Sequence, residues 1–364
     1  MVYKWGDLIT LEYGKPVKDK DRPDGKYPVF GTNGQIGTSN LLPLCNDASF
    51  ILGRKGAYRG VHYSSVPFSV IDTAFYAKNL RPEILDIKWA YYKFLTYDIN
   101  SMDSGSAIPS TDRYEIYAIE TELPAITTQR KIVGVLEELD HKIDVNDKIN
   151  DNFQQQAHAL FEQRFVWSDL DGEEKPLYDF ADYINGAAFK PSECGDHGLP
   201  IIKIAELKNG ITESTRYFDG FKGEKYLIRD KDILFSWSGN PDTSIDIFIW
   251  THGDAILNQH TFNVKSYTCH RWFTYLLLKY YKPEFSRIAS NKQTTGLGHV
   301  TASDLKRLTF IYNKAAIEAF EDEISPLMNM IYNNMIENLR LAQLRDSLLP
   351  KLISGELDVS AIQL

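Results

Sequence analysis

The sequence predicts an α+β fold in which two pseudo-symmetric mixed α/β domains are separated by an antiparallel two-helix coiled coil. A seam of mostly apolar residues, spaced alternately by three and four, occurs twice. A segment that mixes short β-prone runs with few helices precedes each copy. Matching residues also recur between the halves, since Gly14 and Pro28 align with Gly186 and Pro200. The chain is therefore a duplicated unit, a globular segment followed by a long helix.

The two long helices are predicted from their seams. The first seam, in a helix over 126–165, consists of Ile132, Leu136, Leu139, Ile143, Asn146, Asn150, Phe153, Ala157 and Leu160. The second seam, 188 residues later, consists of Phe320, Ile324, Leu327, Ile331, Asn334, Asn338, Leu341, Arg345 and Leu348. Both seams contain two successive asparagines at the same offset. Polar residues in an apolar seam cost stability and fix its register, so Asn146, Asn150, Asn334 and Asn338 are predicted to set the register of a paired coil.

The register follows from pairing these asparagines in antiparallel fashion. Asn146 opposite Asn338 and Asn150 opposite Asn334 set the sum of paired residue numbers at 484, and the same sum makes nearly every other layer apolar. Pro326 falls inside the second heptad pattern and is expected to kink that helix or delay its start. The helix is expected to end near Leu349, before Pro350.

Four segments follow from this pattern. They are a first domain at 1–124, a first helical spacer at 125–167, a second domain at 168–314, and a second helical spacer with a C-terminal tail at 315–364. The net charge of −9 divides into −1, −2, −1 and −5 over these segments. The acidity therefore lies mainly in the helices, and the nearly neutral domains remain compatible with nucleic-acid binding.

Local patterns predict the elements of each domain. In the first domain, strands are expected at 49–52, 60–64 and 68–71, a helix at 87–96 and a final strand-like run at 116–123. In the second domain, strands are expected at 199–204, 233–237, 245–250 and 261–264, with a helix near 271–281. A polar loop at 290–299 stands where the first domain has a loop at 102–112.

Candidate DNA contacts lie in polar loops. In the first domain they are Asn33, Arg54, Lys55, Tyr58, Arg59 and Ser106. Lysine and arginine neutralise phosphates, and arginine also bonds the major-groove edge of guanine. In the second domain the candidates are Ser238, Asn240, Asn291, Lys292, Gln293 and Thr294, which offer mostly hydroxyl and amide groups. The alternative for both sets is an ordinary solvated loop.

Catalytic and cofactor motifs are incomplete. The glycine-rich stretch at 31–37 lacks the lysine of a phosphate-binding loop, and Cys194 with His197 does not have metal-site spacing. No methyl-transfer motif is present, so no metal or cofactor is expected on this chain. Three cysteines, no signal-peptide pattern and no long apolar stretch predict a cytoplasmic protein without a membrane segment.

Several motifs resemble the specificity subunit of a type I restriction–modification system, across essentially the full length. The motifs are YPVFGTNGQIG at 27–37, LGRKGAYRG at 52–60, SGSAIPSTD at 104–112, LPAITTQRKI at 123–132 and LLPKLISGEL at 348–357. The resemblance implies a non-catalytic subunit whose two domains each read one half of a bipartite, asymmetric site in double-stranded DNA.

The same resemblance implies partners. The helices would set the unread gap between the half-sites and dock two adenine methyltransferase subunits, and motor–nuclease subunits could join them. S-adenosylmethionine, ATP and magnesium are expected on these partners. Two other functions stay open on the residues alone: a coiled-coil scaffold or adaptor without DNA binding, and an autonomous DNA-modifying enzyme, which would need a catalytic motif not found in the sequence.

Overall fold

The structure is a computed structural model that describes residues 1–20, 24–102, 109–267, 270–293 and 297–361. Its α-helices are α1 Trp5–Leu8, α2 Ile87–Leu95, α3 Arg113–Ala118, α4 Ile126–Phe165, α5 Ile204–Asn209, α6 Arg271–Tyr280, α7 Lys282–Asn291, α8 Ala302–Arg307 and α9 Lys314–Ser354. Its strands are β1 Val2–Lys4, β2 Ile9–Tyr13, β3 Tyr27–Gly31, β4 Gly34–Ser39, β5 Ser49–Gly53, β6 Val61–Ser64, β7 Ser69–Val70, β8 Ala74–Asn79, β9 Glu120–Glu122, β10 Glu173–Pro176, β11 Ala181–Asn185, β12 Leu199–Ile202, β13 Tyr217–Phe218, β14 Leu227–Ile228, β15 Ile233–Ser236, β16 Ser238–Gly239, β17 Asp246–Ile249, β18 Ala255–Leu257, β19 Thr261–Ser266, β20 Gly298–His299 and β21 Thr309–Tyr312.

The chain folds into two compact units. The first unit comprises Met1–Lys142 together with Arg340–Leu364, and the second comprises Ile143–Leu339. Each unit contains a mixed α/β part and a segment of both long helices, α4 and α9. The predicted fold class, two mixed α/β domains with an antiparallel helix pair, is confirmed.

The first unit contains a four-stranded antiparallel sheet in the order β2-β8-β5-β6. A second sheet has the order β4-β3-β7, in which β3 and β7 run parallel. The short strands β1 and β9 pair with each other, so the start of the chain lies beside the residues that lead into α4. The apolar faces of Trp5, Phe50, Phe75, Trp89 and Phe94 fill the core beneath the first sheet.

The second unit repeats this topology. Its four-stranded antiparallel sheet has the order β11-β19-β15-β17, and its second sheet has the order β13-β12-β18-β14, with β12 and β18 parallel. The strand pair β10–β21 leads into α9 as β1–β9 leads into α4. The duplication seen in the sequence is therefore a duplication of sheet topology.

The long helices complete the core of each unit. In the first unit, Ile132 and Leu136 of α4 lie in one apolar cluster with Leu349, Leu352 and Ile353 of α9. The chain then turns at Gly355, whose φ of +78° suits glycine, and buries Val359 in the same cluster. The Nζ of Lys131 donates to the carbonyl oxygen of Ser360 over 2.6 Å. The first unit is thus built from both ends of the described chain.

In the second unit, the contacts between α4 and α9 have falling partner numbers, which is the signature of antiparallel helices. The Nδ2 of Asn146 donates to the Oδ1 of Asn338 over 2.8 Å, and the Nδ2 of Asn334 donates to the Oδ1 of Asn150 over 2.9 Å. Arg164 pairs with Glu323 farther along. Both asparagine pairs have the sum of 484 that the sequence predicts. The antiparallel prediction is confirmed.

Each long helix also secures the start of a shorter helix in its unit. In the second unit, the buried carboxylate of Glu321 in α9 accepts hydrogen bonds from the backbone N–H groups of Trp272 and Phe273 at the first turn of α6. In the first unit, the fully buried amide of Gln129 in α4 accepts from the N–H of Asp86, which itself caps α2. These bonds satisfy N–H groups that a helix terminus otherwise leaves unpaired.

Several local predictions were wrong. Helix α9 begins at Lys314, continues through Pro326 and Pro350, and ends at Ser354, so neither the late start nor the end near Leu349 is observed. Proline removes one helix hydrogen bond, but the neighbours of both prolines, Ile324 and Leu349 among them, are buried, and this packing offsets the loss. The predicted strand at 116–123 is α3 followed by β9, and α7 replaces the first part of the loop predicted at 290–299.

The asparagine pairs predict a double-mutant result. Asn150→Leu leaves the Asn334 amide without its partner, so we expect the free energy of unfolding to fall by about 1–2 kcal/mol. Asn150→Leu with Asn334→Leu removes both polar groups, and we expect stability to return to the wild-type value or above it. Urea unfolding followed by circular dichroism measures both. Asn152→Leu, at an exposed position of α4, serves as control; a double variant less stable than the single one would contradict the assignment.

Candidate nucleic-acid interface

Arg54 directly follows β5 in the first unit, at the edge of the sheet where β2 and β5 end and β8 begins. Its guanidinium stands 4.8 Å from the ring centre of Tyr13 and 5.8 Å from that of Phe75, and its Nη1 donates to the carbonyl oxygen of Asp72 over 2.8 Å. Its backbone N–H bonds to the carbonyl oxygen of Thr73. A cation held over aromatic rings by its own strand keeps a fixed position.

Arg113 joins this cluster and was not among the predicted contacts. Its guanidinium lies 5.1 Å from the ring centres of both Tyr13 and Tyr114. The ring of Tyr13 therefore has two guanidinium groups near it, and both tyrosines are exposed, at 45 % and 63 %. Arg113 is the first residue of α3, where Asp112 accepts from the N–H of Tyr114. The sequence signal was present in this cap motif, but the strand predicted at 116–123 obscured it.

Lys55 and Tyr58 lie in the loop that follows Arg54. Both are exposed, Tyr58 at 64 %. The hydroxyl of Thr32 lies 2.9 Å from the carbonyl oxygen of Lys55 and ties this loop to the turn after β3. The amide nitrogen of Asn33 can donate to the carbonyl oxygen of Tyr58 over 2.8 Å. The predicted residues Asn33, Lys55 and Tyr58 thus lie together on one surface of the first unit.

Arg59 differs from its predicted placement. Its side chain is only 2 % exposed, and its Nη2 donates to the carbonyl oxygen of Asn100 over 2.7 Å. Its backbone N–H bonds to the side chain of the same asparagine. Arg59 therefore anchors the loop from below, and its guanidinium does not lie at the surface. Ser106 lies outside the described residues.

The charge of this surface is unbalanced. Among the described residues, no carboxylate lies within ion-pair distance of Arg54, Lys55 or Arg113. The first-domain cluster, which we define as Tyr13, Arg54, Lys55, Arg113 and Tyr114, thus contains three cations that pair with no acid among the residues that the structure describes. Cations and exposed aromatic rings together suit contact with the phosphates and edges of nucleic acid.

Trp237 occupies the position of Arg54 in the second unit. Asn185 pairs with Phe262 across β11 and β19 as Tyr13 pairs with Phe75 across β2 and β8, and Trp237 follows β15 as Arg54 follows β5. The carbonyl oxygen of Trp237 accepts from the N–H of Val300, as that of Arg54 accepts from the N–H of Thr111. Trp237 and Arg54 are therefore equivalent in strand register and in backbone hydrogen bonding.

The predicted polar residues of the second unit surround this position. Ser238 pairs with His299 across β16 and β20. The exposed Asn240 accepts, through its Oδ1, from the backbone N–H groups of Asp242 and Thr243, and so closes the turn that follows. Gly239 in this turn has a φ of +126°, a conformation that favours glycine.

Of the predicted DNA contacts at the end of α7, one is held within the protein. Asn291 and Gln293 are exposed, but Lys292 forms an ion pair with Asp304, whose carboxylate is completely buried. Asp304 also accepts from the N–H and hydroxyl of Thr301 over 2.7 and 2.6 Å and pairs with Arg307. Lys292 is thus a structural cation, held at the start of α8. Thr294 lies outside the described residues.

Asp304 predicts a pH effect. Burial alone would raise the pKa of its carboxyl, but the bonds from Lys292, Thr301 and Arg307 outweigh burial and hold the pKa well below its usual value. Because the folded-state pKa is lowered, the stabilisation is complete above the ordinary pKa of about 4 and is lost as the pH falls through the folded-state pKa. Asp304→Asn should lower the free energy of unfolding at pH 7 by about 3 kcal/mol.

Urea unfolding from pH 7 downward measures this effect. We expect the difference between wild type and Asp304→Asn to shrink below pH 4, while Asp254→Asn, at an exposed carboxylate of the same unit, changes stability little. A difference that stays constant across this range would contradict the ionised, bonded state of Asp304.

Metal sites and membrane-spanning helices are absent from the part of the chain that the structure describes. No group of three or more histidine, cysteine, aspartate or glutamate side chains there is arranged to hold a metal ion. No described helix is both long enough and apolar enough to pass through a lipid bilayer.

Comparison with known proteins shows which family has a matching sequence. The family model described as "Type I restriction modification DNA specificity domain" matches residues 1–155 and 170–315. The type I restriction enzyme MjaIX specificity subunit of Methanocaldococcus jannaschii is 26 % identical over 310 residues, which cover 76 % of this chain and 70 % of that protein. The HindI specificity subunit of Haemophilus influenzae is 22 % identical over 329 residues, covering 66 % and 70 %.

A solved structure shares the fold. The crystal structure of the type I restriction-modification system S subunit from M. genitalium superposes with a TM-score of 0.59 at 16 % identity, covering 97 % of this chain and 95 % of that one. The family model matches the larger part of the chain in two stretches. This chain therefore belongs to the family of type I restriction modification DNA specificity domains, and it carries two of them.

Proposed function

We propose that this chain is the non-catalytic, DNA-reading specificity subunit of a type I restriction–modification complex and acts in the cytoplasm. Membership of the specificity family supports DNA recognition as its role. The observation that carries the proposal to particular residues is the first-domain cluster, in which Arg54 and Arg113 both lie near the ring of Tyr13, beside the exposed Lys55. Arg59 is left out of the contact set because its side chain is buried.

The two domains would read two different half-sites of double-stranded DNA. They share one topology, but the equivalent positions hold Arg54 over Tyr13 in one and Trp237 beside Asn185 in the other. Different side chains at equivalent positions favour an asymmetric bipartite site. Asn33 and Tyr58 would contribute in the first domain, and Ser238, Asn240, Asn291 and Gln293 in the second.

The division of labour follows the four segments 1–124, 125–167, 168–314 and 315–364. The two domains bind DNA, and the helical segments dock two adenine methyltransferase subunits and hold the gap between half-sites constant. Motor–nuclease subunits complete the restriction form of the complex. S-adenosylmethionine, ATP and magnesium belong to these partners, since no motif for them was found here.

The first-domain cluster predicts a change in salt dependence. Lys55→Ala with Arg113→Ala, in the complex with methyltransferase subunits, removes two cations, so we expect weaker DNA binding and a slope of log K against log salt that is smaller by about two. Fluorescence anisotropy at several salt concentrations measures the slope. Lys314→Ala, an exposed lysine at the start of α9, is the matched control. An unchanged slope in the double variant would remove this cluster from the interface.

Mapping of methylated adenines in cells tests the function as a whole. Cells with the gene should show one bipartite methylated motif that is absent without it. Deletion of 143–149 together with 335–341 removes one heptad from each helix and keeps their register. Seven helical residues rise about 10 Å, so the gap should shorten by about three base pairs.

The scaffold alternative makes the opposite prediction. A protein adaptor without DNA binding would leave the methylation pattern unchanged when its gene is removed. A motif that persists without the gene, or a gap that does not change in the deletion variant, would contradict the proposal or its helical spacer respectively. Deletion of 143–149 alone mismatches the helices and should abolish methylation, which serves as the control for register.

A further inference from the structure

Trp237 presents only apolar atoms to a ligand. Its indole N–H donates to the side-chain oxygen of Asn185 over 3.1 Å, so this group is already bonded within the protein. Its ring packs 5.6 Å, centre to centre, from the buried ring of Phe262 and 5.8 Å from the exposed imidazole of His260. The ring is half-buried, and the part that remains accessible is hydrocarbon.

The position of Trp237 is fixed by rigid elements. It is preceded by the buried strand β15 and followed by β16, and its carbonyl oxygen is bonded to Val300. The first domain uses the equivalent position for Arg54, whose guanidinium offers several N–H donors. An arginine reads the acceptor edge of guanine, whereas an apolar side chain in the major groove has one apolar partner among the bases, the C5-methyl group of thymine.

We propose that Trp237 is a specificity-determining residue of the second domain and selects a thymine through its C5-methyl group. The inference deepens the proposed function and rests on it. The hydrogen bond that Trp237 donates to Asn185 makes the selection stricter, because an indole whose N–H is satisfied gains nothing from a polar base edge. Asn185 is thus a positioning residue, and Trp237 is the residue that contacts the base.

The test removes the methyl group from the DNA. The full chain, in complex with its methyltransferase subunits, is bound to duplexes that carry the bipartite site found by methylation mapping. Each thymine of both half-sites is replaced in turn by deoxyuridine, which lacks only the methyl group. We expect one such replacement to weaken binding about fourfold, the value for losing one buried methyl-sized group.

Two protein variants test whether Trp237 is the residue that contacts this methyl group. Trp237→Ala should bind the thymine and deoxyuridine duplexes equally, with lower affinity for the thymine duplex than the wild-type chain. Arg54→Ala, the matched change in the first domain, should keep the wild-type sensitivity to that methyl group. In the wild-type complex, 5-iododeoxyuridine at the sensitive position should give a photochemical crosslink to Trp237, a readout that does not depend on the folding of any variant.

Three outcomes would overturn the inference while the proposed function stands. They are half-sites without thymine, a methyl effect that persists in Trp237→Ala, and a crosslink that maps to another residue. Absence of any sequence preference in the complex would instead reject the proposed function, and the inference with it. The two failures are therefore distinguishable.

Discussion

The antiparallel pairing of α4 and α9 is the constraint on which the rest of the structure depends. In the second unit it is specified by two hydrogen-bonded asparagine pairs, Asn146 with Asn338 and Asn150 with Asn334. Leucine at these positions would bury more apolar surface but would allow neighbouring registers, because a uniform apolar seam tolerates a shift by one heptad. A shift would displace Glu321 and Gln129 from the short helices that they hold, and with them the sheets that carry the candidate interface.

The duplicated topology separates scaffold from recognition. The strand order of the main four-stranded sheet is shared between the domains, and apolar residues fill the core of each. The side chains that follow β5 and β15 differ completely in chemistry, since one is an arginine beside two aromatic rings and the other a tryptophan bonded to an asparagine. A fold of this kind can change what it reads while keeping its scaffold, because these two residues follow the strands and lie at the rim of the core, not inside it.

The sequence predicted the structure best where a periodic pattern of apolar residues continued over many residues. The heptad seam predicted the partner, direction and register of the long helices, because about four heptads of alternating spacing leave few alternatives. The late helix start expected at Pro326 and the helix end expected before Pro350 are not observed, because buried neighbours override the local preference of proline. Helix α7 was missed although Pro283 stands in its first turn, a position typical of a helix start, because only one residue separates it from α6. Burial and long-range ion pairs are invisible to local patterns, so Arg59 was expected at the surface and Lys292 was expected to be available for DNA. Arg113 was overlooked because a strand was predicted over 116–123 in place of α3.

The two ends of the described chain share one core, and this has a consequence for biosynthesis. The first unit needs Leu349, Leu352 and Val359 beside Ile132, yet the ribosome makes the whole of the second unit between them. During most of translation, the N-terminal part of the first unit therefore exposes apolar residues that residues 340–364 cover in the finished protein. The second unit, which is contiguous in sequence, can close first, and the part made earliest becomes complete last.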